Sequence, residues 1–243
     1  VLFYQPQMDM QSEQIVGMEA LIRWNHPKNK LILPSEFIPL AEETGLINMI
    51  GEWVLNTACN QAQEWKNDGL SFNRIAVNIS ACQIEQADFV EKIKLALDMS
   101  GLESGSLDLE ITESAMMKDV DDSRDKLRQI AELGVQISID DFGTGYSSLA
   151  YLKDLPIHTL KIDQSFIRDL TEDVCENSIV SAMIQIARGL KLRLLAEGVE
   201  TALQLEFLRK NNCEECQGYY FSQPVPAHDA TDLLAKRKSF YPV

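Results

Sequence analysis

The sequence of 243 residues lacks any long hydrophobic run. No apolar stretch approaches the roughly 18 residues that a membrane helix needs, and no basic segment followed by an apolar one resembles a secretory signal. We therefore predict a cytoplasmic domain that makes no membrane contact of its own. Because the chain enters a strand-like run directly after Val1, we expect it to be part of a longer protein, and that parent could still be membrane-anchored.

Paired cysteines and metal-spaced histidines are also lacking. The five cysteines are odd in number and irregular in spacing, which favours a reducing compartment over a disulfide framework. Cys213 and Cys216 form a C-x-x-C motif, but no second Cys or His pair follows at the spacing typical of zinc sites, so we interpret them as partly buried thiols. The three histidines, His26, His158 and His228, have no ligand spacing among them.

Positive charge is scarce. The chain has 22 Lys and Arg against 37 Asp and Glu, which gives a formal net charge of −15. So acidic a surface repels phosphate backbones and anionic lipids, which argues against a partner that is a long nucleic acid or a membrane. The hydrophobic content of 45% and the charged content of 24% are typical of globular proteins and exclude disordered and fibrous classes.

Short apolar runs alternate with longer amphipathic ones, and this pattern predicts an α/β protein. The predicted strands are Leu2–Gln5, Ile15–Trp24, Ile75–Ser80, Leu107–Thr112, Gln136–Phe142, Thr159–Asp163, Arg193–Val199 and Gln217–Phe221. The predicted helices lie near Ser35–Glu43, Asn48–Asn67, Gln83–Met99, Met116–Leu133, Tyr146–Lys153, Cys175–Gly189, Thr201–Lys210 and Ala227–Arg237.

Eight predicted strands without an intervening linker favour one closed (β/α)8 barrel of the TIM type that spans residues 1–243. Only about nine residues separate the first two strands, too few for a helical crossover, so we predict that the first strand is antiparallel. Ser80 with Gln83 and Thr201 with Gln204 predict capping boxes at two helix starts. Four glycines predict left-handed helix ends: Gly45, Gly101, Gly134 and Gly189.

Polar side chains stand at the carboxyl ends of the predicted strands, where barrel enzymes form their active sites. They are Glu19, Asn78, Glu110, Asp140 with Asp141, Lys161, Glu197 and Gln217. The five carboxylates and one lysine would carry a charge of −5 + 1 = −4, and unpaired carboxylates held together repel one another. Two Mg²⁺ or Mn²⁺ ions, which prefer oxygen ligands, would balance this charge. Because paired metal ions promote displacement at phosphorus, this chemistry predicts a metal-dependent phosphohydrolase.

The same residues resemble the EAL-domain cyclic di-GMP phosphodiesterases over essentially the whole chain. The name-giving motif is Glu19-Ala20-Leu21, which continues through Arg23-Trp24 to His26-Pro27. The other matching segments are Pro34 to Leu46, Val77-Asn78-Ile79-Ser80, Leu109 to Ser114, Asp140 to Leu149, Leu160 to Asp163, Ala196 to Thr201 and Gln217-Gly218-Tyr219 with Pro224. The resemblance implies an eight-stranded α/β barrel with an antiparallel first strand. It also implies hydrolysis of cyclic di-GMP to linear pGpG with two Mg²⁺ or Mn²⁺ ions.

The resemblance also implies a role for each matching residue. The implied metal ligands are Glu19, Asn78, Glu110, Asp140, Asp141 and Glu197. Lys161 is implied to hold the hydrolytic water, and Glu197 is alternatively a general base, so Glu19, Lys161 and Glu197 are the implied catalytic residues. The implied substrate contacts are Arg23, Leu21, Gln217 and Glu200. Glu113 is implied to steady the loop that contains Phe142, Gly143, Thr144 and Gly145, which the family links to dimerisation and metal affinity.

Two alternatives remain open from the sequence. A cyclic di-GMP receptor with little or no turnover would share the fold, and a metal-dependent phosphohydrolase of another nucleotide would share the site. By resemblance we expect a homodimer and regulatory domains in the same parent chain. Tyr219, Tyr220 and Phe221 could stack on a guanine base, but for strand aromatics we favour packing in the core.

Overall fold

The computed structural model describes residues 1–28, 30–116, 120–144, 152–170 and 178–236. Its strands are β1 (Leu2–Asp9), β2 (Ile15–Ile22), β3 (Trp24–His26), β4 (Lys30–Ile32), β5 (Arg74–Ile79), β6 (Leu107–Thr112), β7 (Gln136–Phe142), β8 (Thr159–Ile162), β9 (Arg193–Ala196), β10 (Glu215–Cys216) and β11 (Val225–Pro226). Its helices are α1 (Pro34–Glu43), α2 (Ile47–Asn67), α3 (Ala81–Ile84), α4 (Phe89–Ser100), α5 (Glu113–Met116), α6 (Val120–Glu132), α7 (Gln164–Arg168), α8 (Ser178–Leu190), α9 (Ala202–Lys210) and α10 (Ala227–Lys236).

Eight strands close into a barrel in the order β1, β2, β5, β6, β7, β8, β9, β10, and β10 pairs back onto β1. Every neighbouring pair from β2 to β10 is parallel, whereas β1 is antiparallel to both β2 and β10. The predicted barrel and its antiparallel first strand are therefore confirmed. Among the described residues, no helix is both long and apolar enough to cross a bilayer.

The strands alternate between the helical layer and the barrel interior. In β6, Leu107, Leu109 and Ile111 are fully buried in the hydrophobic core, while Asp108 and Glu110 bond to side chains from other strands. This period of two follows from the pleat, which sends successive side chains to opposite faces. An interior lined by polar side chains differs from the branched apolar packing that fills most barrels of this type.

The lower part of the barrel interior holds a buried ionic cluster. Arg74, at the start of β5, donates from Nη1 to Glu215 Oε1 at 3.1 Å, and its Nε lies 3.3 Å from Asp108 Oδ2. Ser138 donates its hydroxyl to Asp108, with Oγ 2.7 Å from Oδ1. Since Arg74 and Glu215 come from strands that are not neighbours, their contact spans the interior.

Local sequence signals set several helix boundaries. The capping boxes at Ser80 and Thr201 are confirmed, each with a glutamine at the third helical position. Gly45, Gly101 and Gly134 have φ values of 74°, 71° and 90°, as predicted for left-handed helix ends. The prediction for Gly189 is wrong, because α8 continues to Leu190 and Lys191 takes the left-handed conformation instead.

The predicted strand over Gln217–Phe221 is also wrong. Strand β10 ends at Cys216, and a turn follows in which Phe221 N donates to Gly218 O at 3.1 Å. A Cβ on Gly218 would lie 2.1 Å from Val199 O, so a glycine is required where the turn packs on that backbone. Aromatic residues are common in strands, so those of this segment favour a strand that the structure does not form.

Other boundaries shift between the predictions and the structure. The predicted helix Gln83–Met99 is divided into α3 and α4, and Lys92 Nζ bonds to Gln86 Oε1 at 2.8 Å across the break. Strand β1 runs to Asp9, four residues beyond the predicted end at Gln5. Most of the predicted helix Tyr146–Lys153 lies outside the described residues, as do residues 117–119 of Met116–Leu133 and residues 175–177 of Cys175–Gly189.

The C-x-x-C cysteines are more deeply buried than predicted. Cys213 and Cys216 are 4% and 1% exposed, and Cys213 Sγ donates to Glu215 O at 3.3 Å. Burial raises the pKa of Cys213 to about 12. Both thiols therefore pack as small apolar groups beside β9 and β10.

Candidate functional site

A cleft of about 1100 Å³ opens at the carboxyl ends of the parallel strands. Its wall includes Glu19 of β2, Asn78 of β5, Asp140 of β7 and Glu197, which directly follows β9. Each of these side chains stands at or near the point where its strand leaves the barrel. The fold therefore gathers the predicted polar strand ends around one opening.

Lys161 of β8 lies at the centre of this cluster and is 1% exposed. Its Nζ is 2.7 Å from Glu110 Oε2, 2.8 Å from Glu197 Oε1, 3.2 Å from Asp140 Oδ1 and 3.9 Å from Glu19 Oε1. Burial alone would lower the pKa of Lys161, but these carboxylates raise it well above its ordinary value. Lys161 is therefore a fixed positive charge that draws carboxylates from four strands together.

One lysine does not balance the negative charge around it. Burial and the neighbouring Glu19 raise the pKa of Glu110 well above its ordinary value. Burial, together with Asp140, raises the pKa of Glu197 to about 8 against the opposing effect of Lys161. Burial and Asp140 likewise raise the pKa of Asp141 to about 6. The carboxylates therefore favour any additional positive charge, either protons or bound cations.

Glu19 is held by amide donors on both sides. Asn78 Nδ2 donates to Glu19 Oε1 at 2.7 Å, and Gln217 Nε2 donates to Glu19 Oε2. Burial alone would raise the pKa of Glu19, but Lys161 and these two amides hold it below its ordinary value. Glu19 is therefore an oriented carboxylate that keeps its negative charge.

A second carboxylate group meets at the rim of the cleft. Oxygen atoms of Asp140, Asp141 and Glu197 all lie within 4.8 Å of one another. Asp141 has a φ of 54°, a left-handed conformation that is strained for a residue with a side chain. Because all of these donors are carboxylate oxygens, the set fits a hard divalent cation such as Mg²⁺ or Mn²⁺.

The segment after Asp141 contains the described residues of the predicted loop. Glu113 is buried, and Gly143 N donates to its Oε2 at 3.5 Å. Gly143 has a φ of 97°, and a Cβ there would lie 2.2 Å from Met183 Cε. Phe142 is buried, and Thr144 Oγ1 donates to Asp141 O at 2.8 Å. Gly145 lies outside the described residues.

The predicted substrate contacts stand around the same cleft. Arg23 and Leu21 line its wall from the end of β2, and Arg23 Nη1 donates to Ile22 O at 2.8 Å. Glu200 is exposed at the rim. Gln217 also lines the cleft, but it is buried, and its amide is directed at Glu19.

Residues 1–224 match the family described as the EAL domain. The chain belongs to the EAL domain family. The curated relatives include the bifunctional diguanylate cyclase/cyclic di-GMP phosphodiesterase MucR of Pseudomonas aeruginosa, 49% identical over 235 residues. They also include the cyclic di-GMP phosphodiesterase NbdA of the same organism, 45% identical over 233 residues.

This EAL domain spans about a third of the length of those relatives. The MucR alignment covers 97% of this chain and 34% of MucR, and the NbdA alignment covers 96% of this chain and 30% of NbdA. A solved structure described as the phosphodiesterase PaMucR in complex with c-di-GMP matches with a TM-score of 0.90 and 49% identity. That match covers 95% of this chain and 93% of the solved one, and it agrees with the barrel fold described above.

Sequence reasoning missed three residues of the EAL domain that contribute to the site. Tyr219 was expected in the core, but it is 56% exposed and lines the cleft. Gln5 accepts a hydrogen bond from Gln217 Nε2 at 3.1 Å, and Gln7 Nε2 donates to Glu110 Oε1 at 3.3 Å. Gln5 and Gln7 lie two residues apart in a strand that is otherwise largely apolar. This spacing, which places both side chains on the same face of the strand, is the signal that could have identified them.

Proposed function

We propose that this EAL domain hydrolyses one phosphodiester bond of cyclic di-GMP and releases linear pGpG. The observation that carries the proposal is the convergence of five carboxylates and one buried lysine at the mouth of the cleft. The names of the relatives MucR and NbdA support the choice of cyclic di-GMP as the substrate. The bound ligand named for the PaMucR structure supports the same choice.

The donor chemistry of the site supports a pair of divalent cations, Mg²⁺ or Mn²⁺. Glu19, Asn78, Glu110 and Asp140 would hold one cation, and Asp141 with Glu197 would complete the site of the second. Bound divalent cations would lower the pKa of a coordinated water and neutralise the oxygens of the phosphate group whose phosphorus is attacked. For Asn78 to serve as a ligand, its amide would present its oxygen, whereas its nitrogen faces Glu19 in this structure.

The protein's own groups would orient the attack and stabilise its charge. Lys161 carries a fixed positive charge 2.8 Å from Glu197 Oε1, so it would help to hold the attacking water beside Glu197 and stabilise the negative charge that develops there. Glu197 can accept the proton of that water, since it stands at the wall of the cleft. Arg23, at the side of the same cleft, can bind a phosphate oxygen with its planar guanidinium.

An assay of reaction products tests the proposal. The purified domain is incubated with cyclic di-GMP and Mn²⁺ or Mg²⁺, with and without a chelator, and pGpG is quantified by chromatography. Product that disappears with the chelator supports the proposal. Tight binding of cyclic di-GMP without product would instead indicate a receptor, and hydrolysis of other nucleotides alone would indicate a different phosphohydrolase.

The Glu19→Ala variant makes the assay specific to this site. Removal of an oriented carboxylate that touches Asn78, Gln217 and Lys161 should abolish hydrolysis, because a metal ligand is lost. Glu91→Ala is the matched control, since Glu91 is exposed on α4, where it forms an ion pair with Lys94 at 3.2 Å. Unchanged turnover in Glu19→Ala would contradict the assignment.

We further propose that residues 1–243 form one EAL domain of a longer chain that carries regulatory domains. The one-third coverage of MucR and NbdA supports such a parent.

We also propose that the domain forms a homodimer in solution, with the loop after Asp141 near the contact. Light scattering of the isolated domain would measure this directly, and a monomer at all concentrations would contradict it.

A further inference from the structure

Gln7 occupies the middle of the barrel interior, between the carboxylate cluster and the Arg74 cluster. It is 1% exposed, and its Nε2 donates to Glu110 Oε1 at 3.3 Å. In this arrangement the amide nitrogen of Gln7 faces Glu110, whose carboxyl oxygen accepts the hydrogen bond. The other oxygen of Glu110, Oε2, lies 2.7 Å from Lys161 Nζ. Both oxygens of Glu110 therefore have a defined partner, and together these partners fix the plane of the carboxylate.

Gly17 provides the space in which the Gln7 side chain lies. The two residues are directly paired in the register of β1 and β2. A Cβ on Gly17 would lie 2.5 Å from Gln7 Oε1 and 3.2 Å from Arg74 Cγ. Arg74 therefore adjoins the same position of Gly17 as the Gln7 amide, whose nitrogen donates to Glu110.

We infer that Gln7 is a positioning residue for Glu110, and that Gly17 is required for it to act. The inference rests on the proposed function, in which Glu110 is a metal ligand. A hydrogen bond that orients a ligating carboxylate typically contributes about 10–100-fold to metal affinity or activity. Gln7 does not line the cleft, and its hydrogen bond to Glu110 connects it to the site.

The Gln7→Met variant tests this role, since methionine has a similar length and no donor. Mn²⁺ affinity is measured by electron paramagnetic resonance on the purified domain without substrate, and kcat and KM are measured separately. We expect Mn²⁺ binding to weaken by about 10–100-fold. We also expect kcat to fall at low Mn²⁺ and to recover at high Mn²⁺, with KM for cyclic di-GMP unchanged. Mn²⁺ affinity within about twofold of the wild type would overturn the inference.

Gln136→Met is the matched control. Gln136 is a half-buried glutamine of β7 that accepts a hydrogen bond from Arg193 Nη2 at 3.1 Å, away from Glu110. Its substitution should leave Mn²⁺ affinity unchanged. An equal loss of affinity in Gln136→Met would show that any damage to a barrel glutamine weakens the site, and would also overturn the inference.

Gly17→Ala provides a second test that does not depend on the Gln7→Met variant. In the wild-type background the added methyl group should displace the Gln7 amide and weaken Mn²⁺ binding. In a Gln7→Ala background the displaced atom is missing, so Gly17→Ala should add less than about a twofold loss. Equal losses in both backgrounds would show that Gly17 does not act through Gln7.

The Mn²⁺ measurement also separates this inference from the proposed function. If the wild type binds Mn²⁺ but does not hydrolyse cyclic di-GMP, the proposed function fails while the role of Gln7 is still decided by affinity. If the wild type binds no Mn²⁺, both fail together. Thermal unfolding of each variant shows whether it is folded. If Gln7→Met does not fold, the comparison of Gly17→Ala in the wild-type and Gln7→Ala backgrounds decides whether Gln7 positions Glu110.

Discussion

Lys161 contacts four carboxylates from different places in the barrel, and its buried positive charge holds them around one opening. Each carboxylate could be assigned from its position at the end of an apolar strand. The distances could not, because they depend on the twist and stagger of strands that lie far apart in the sequence. The same limit applies to Gln7 of β1, whose partner Glu110 lies on β6, a strand that does not neighbour β1.

At the residue scale, we predict that Lys161→Met lowers kcat by about 10²–10³-fold, as loss of a fixed charge-stabilising donor does in other enzymes. The substitution leaves four carboxylates without their shared cation, so the change should appear in kcat more than in KM. Steady-state kinetics at saturating Mn²⁺ measure both parameters. Lys94→Met is the control, since Lys94 of α4 has a partly exposed side chain that pairs with Glu91. A kcat of Lys161→Met equal to that of the control would count against the role.

At the scale of elements, local signals predicted helix boundaries well where a side chain bonds to a backbone group a few residues away. The capping boxes at Ser80 and Thr201 are of this kind. Predictions failed where a distant segment decides the conformation, as at Gly218, which packs on the backbone of Val199. Composition gave no indication of that contact, so the aromatic residues after Gln217 were assigned to a strand.

Two glycines provide a matched test at this scale. Gly218→Ala should lower the free energy of unfolding by about 1–3 kcal/mol, because the new methyl group would meet the Val199 backbone. Gly189→Ala has open space and lies within α8, so it should raise stability by about 0.5–1 kcal/mol. Urea unfolding monitored by circular dichroism measures both. Equal stabilities of the two variants would contradict the described turn.

At the scale of the whole molecule, the net charge of −15 has different effects on the general surface and at the mouth of the barrel. Over the general surface it disfavours long polyanions. At the mouth of the barrel, five acidic residues gather around Lys161 and favour cations, which would in turn attract a dianionic nucleotide. Sequence reasoning predicted the closed barrel and this cluster. It did not predict the ionic cluster of Arg74 below, because alternating polar residues also fit a solvent-exposed face.

We predict that Arg74→Met lowers the free energy of unfolding by about 3–5 kcal/mol, since it leaves Asp108 and Glu215 buried without their cation. The surface residue Arg168 pairs with Asp169 at 3.8 Å with both side chains largely exposed. Arg168→Met should therefore change stability by less than about 0.5 kcal/mol. Chemical denaturation compares the two variants, and a loss below about 1 kcal/mol for Arg74→Met would argue that the cluster contributes little.

We propose that the carboxylate cluster binds divalent cations that enable hydrolysis of cyclic di-GMP. The most direct test is to titrate metal-free domain with Mn²⁺ in the presence of cyclic di-GMP, while bound ions and released pGpG are measured in the same samples. We expect no product without metal and a rate of pGpG release that rises as the second ion binds. Full-rate formation of pGpG by metal-free protein would contradict it.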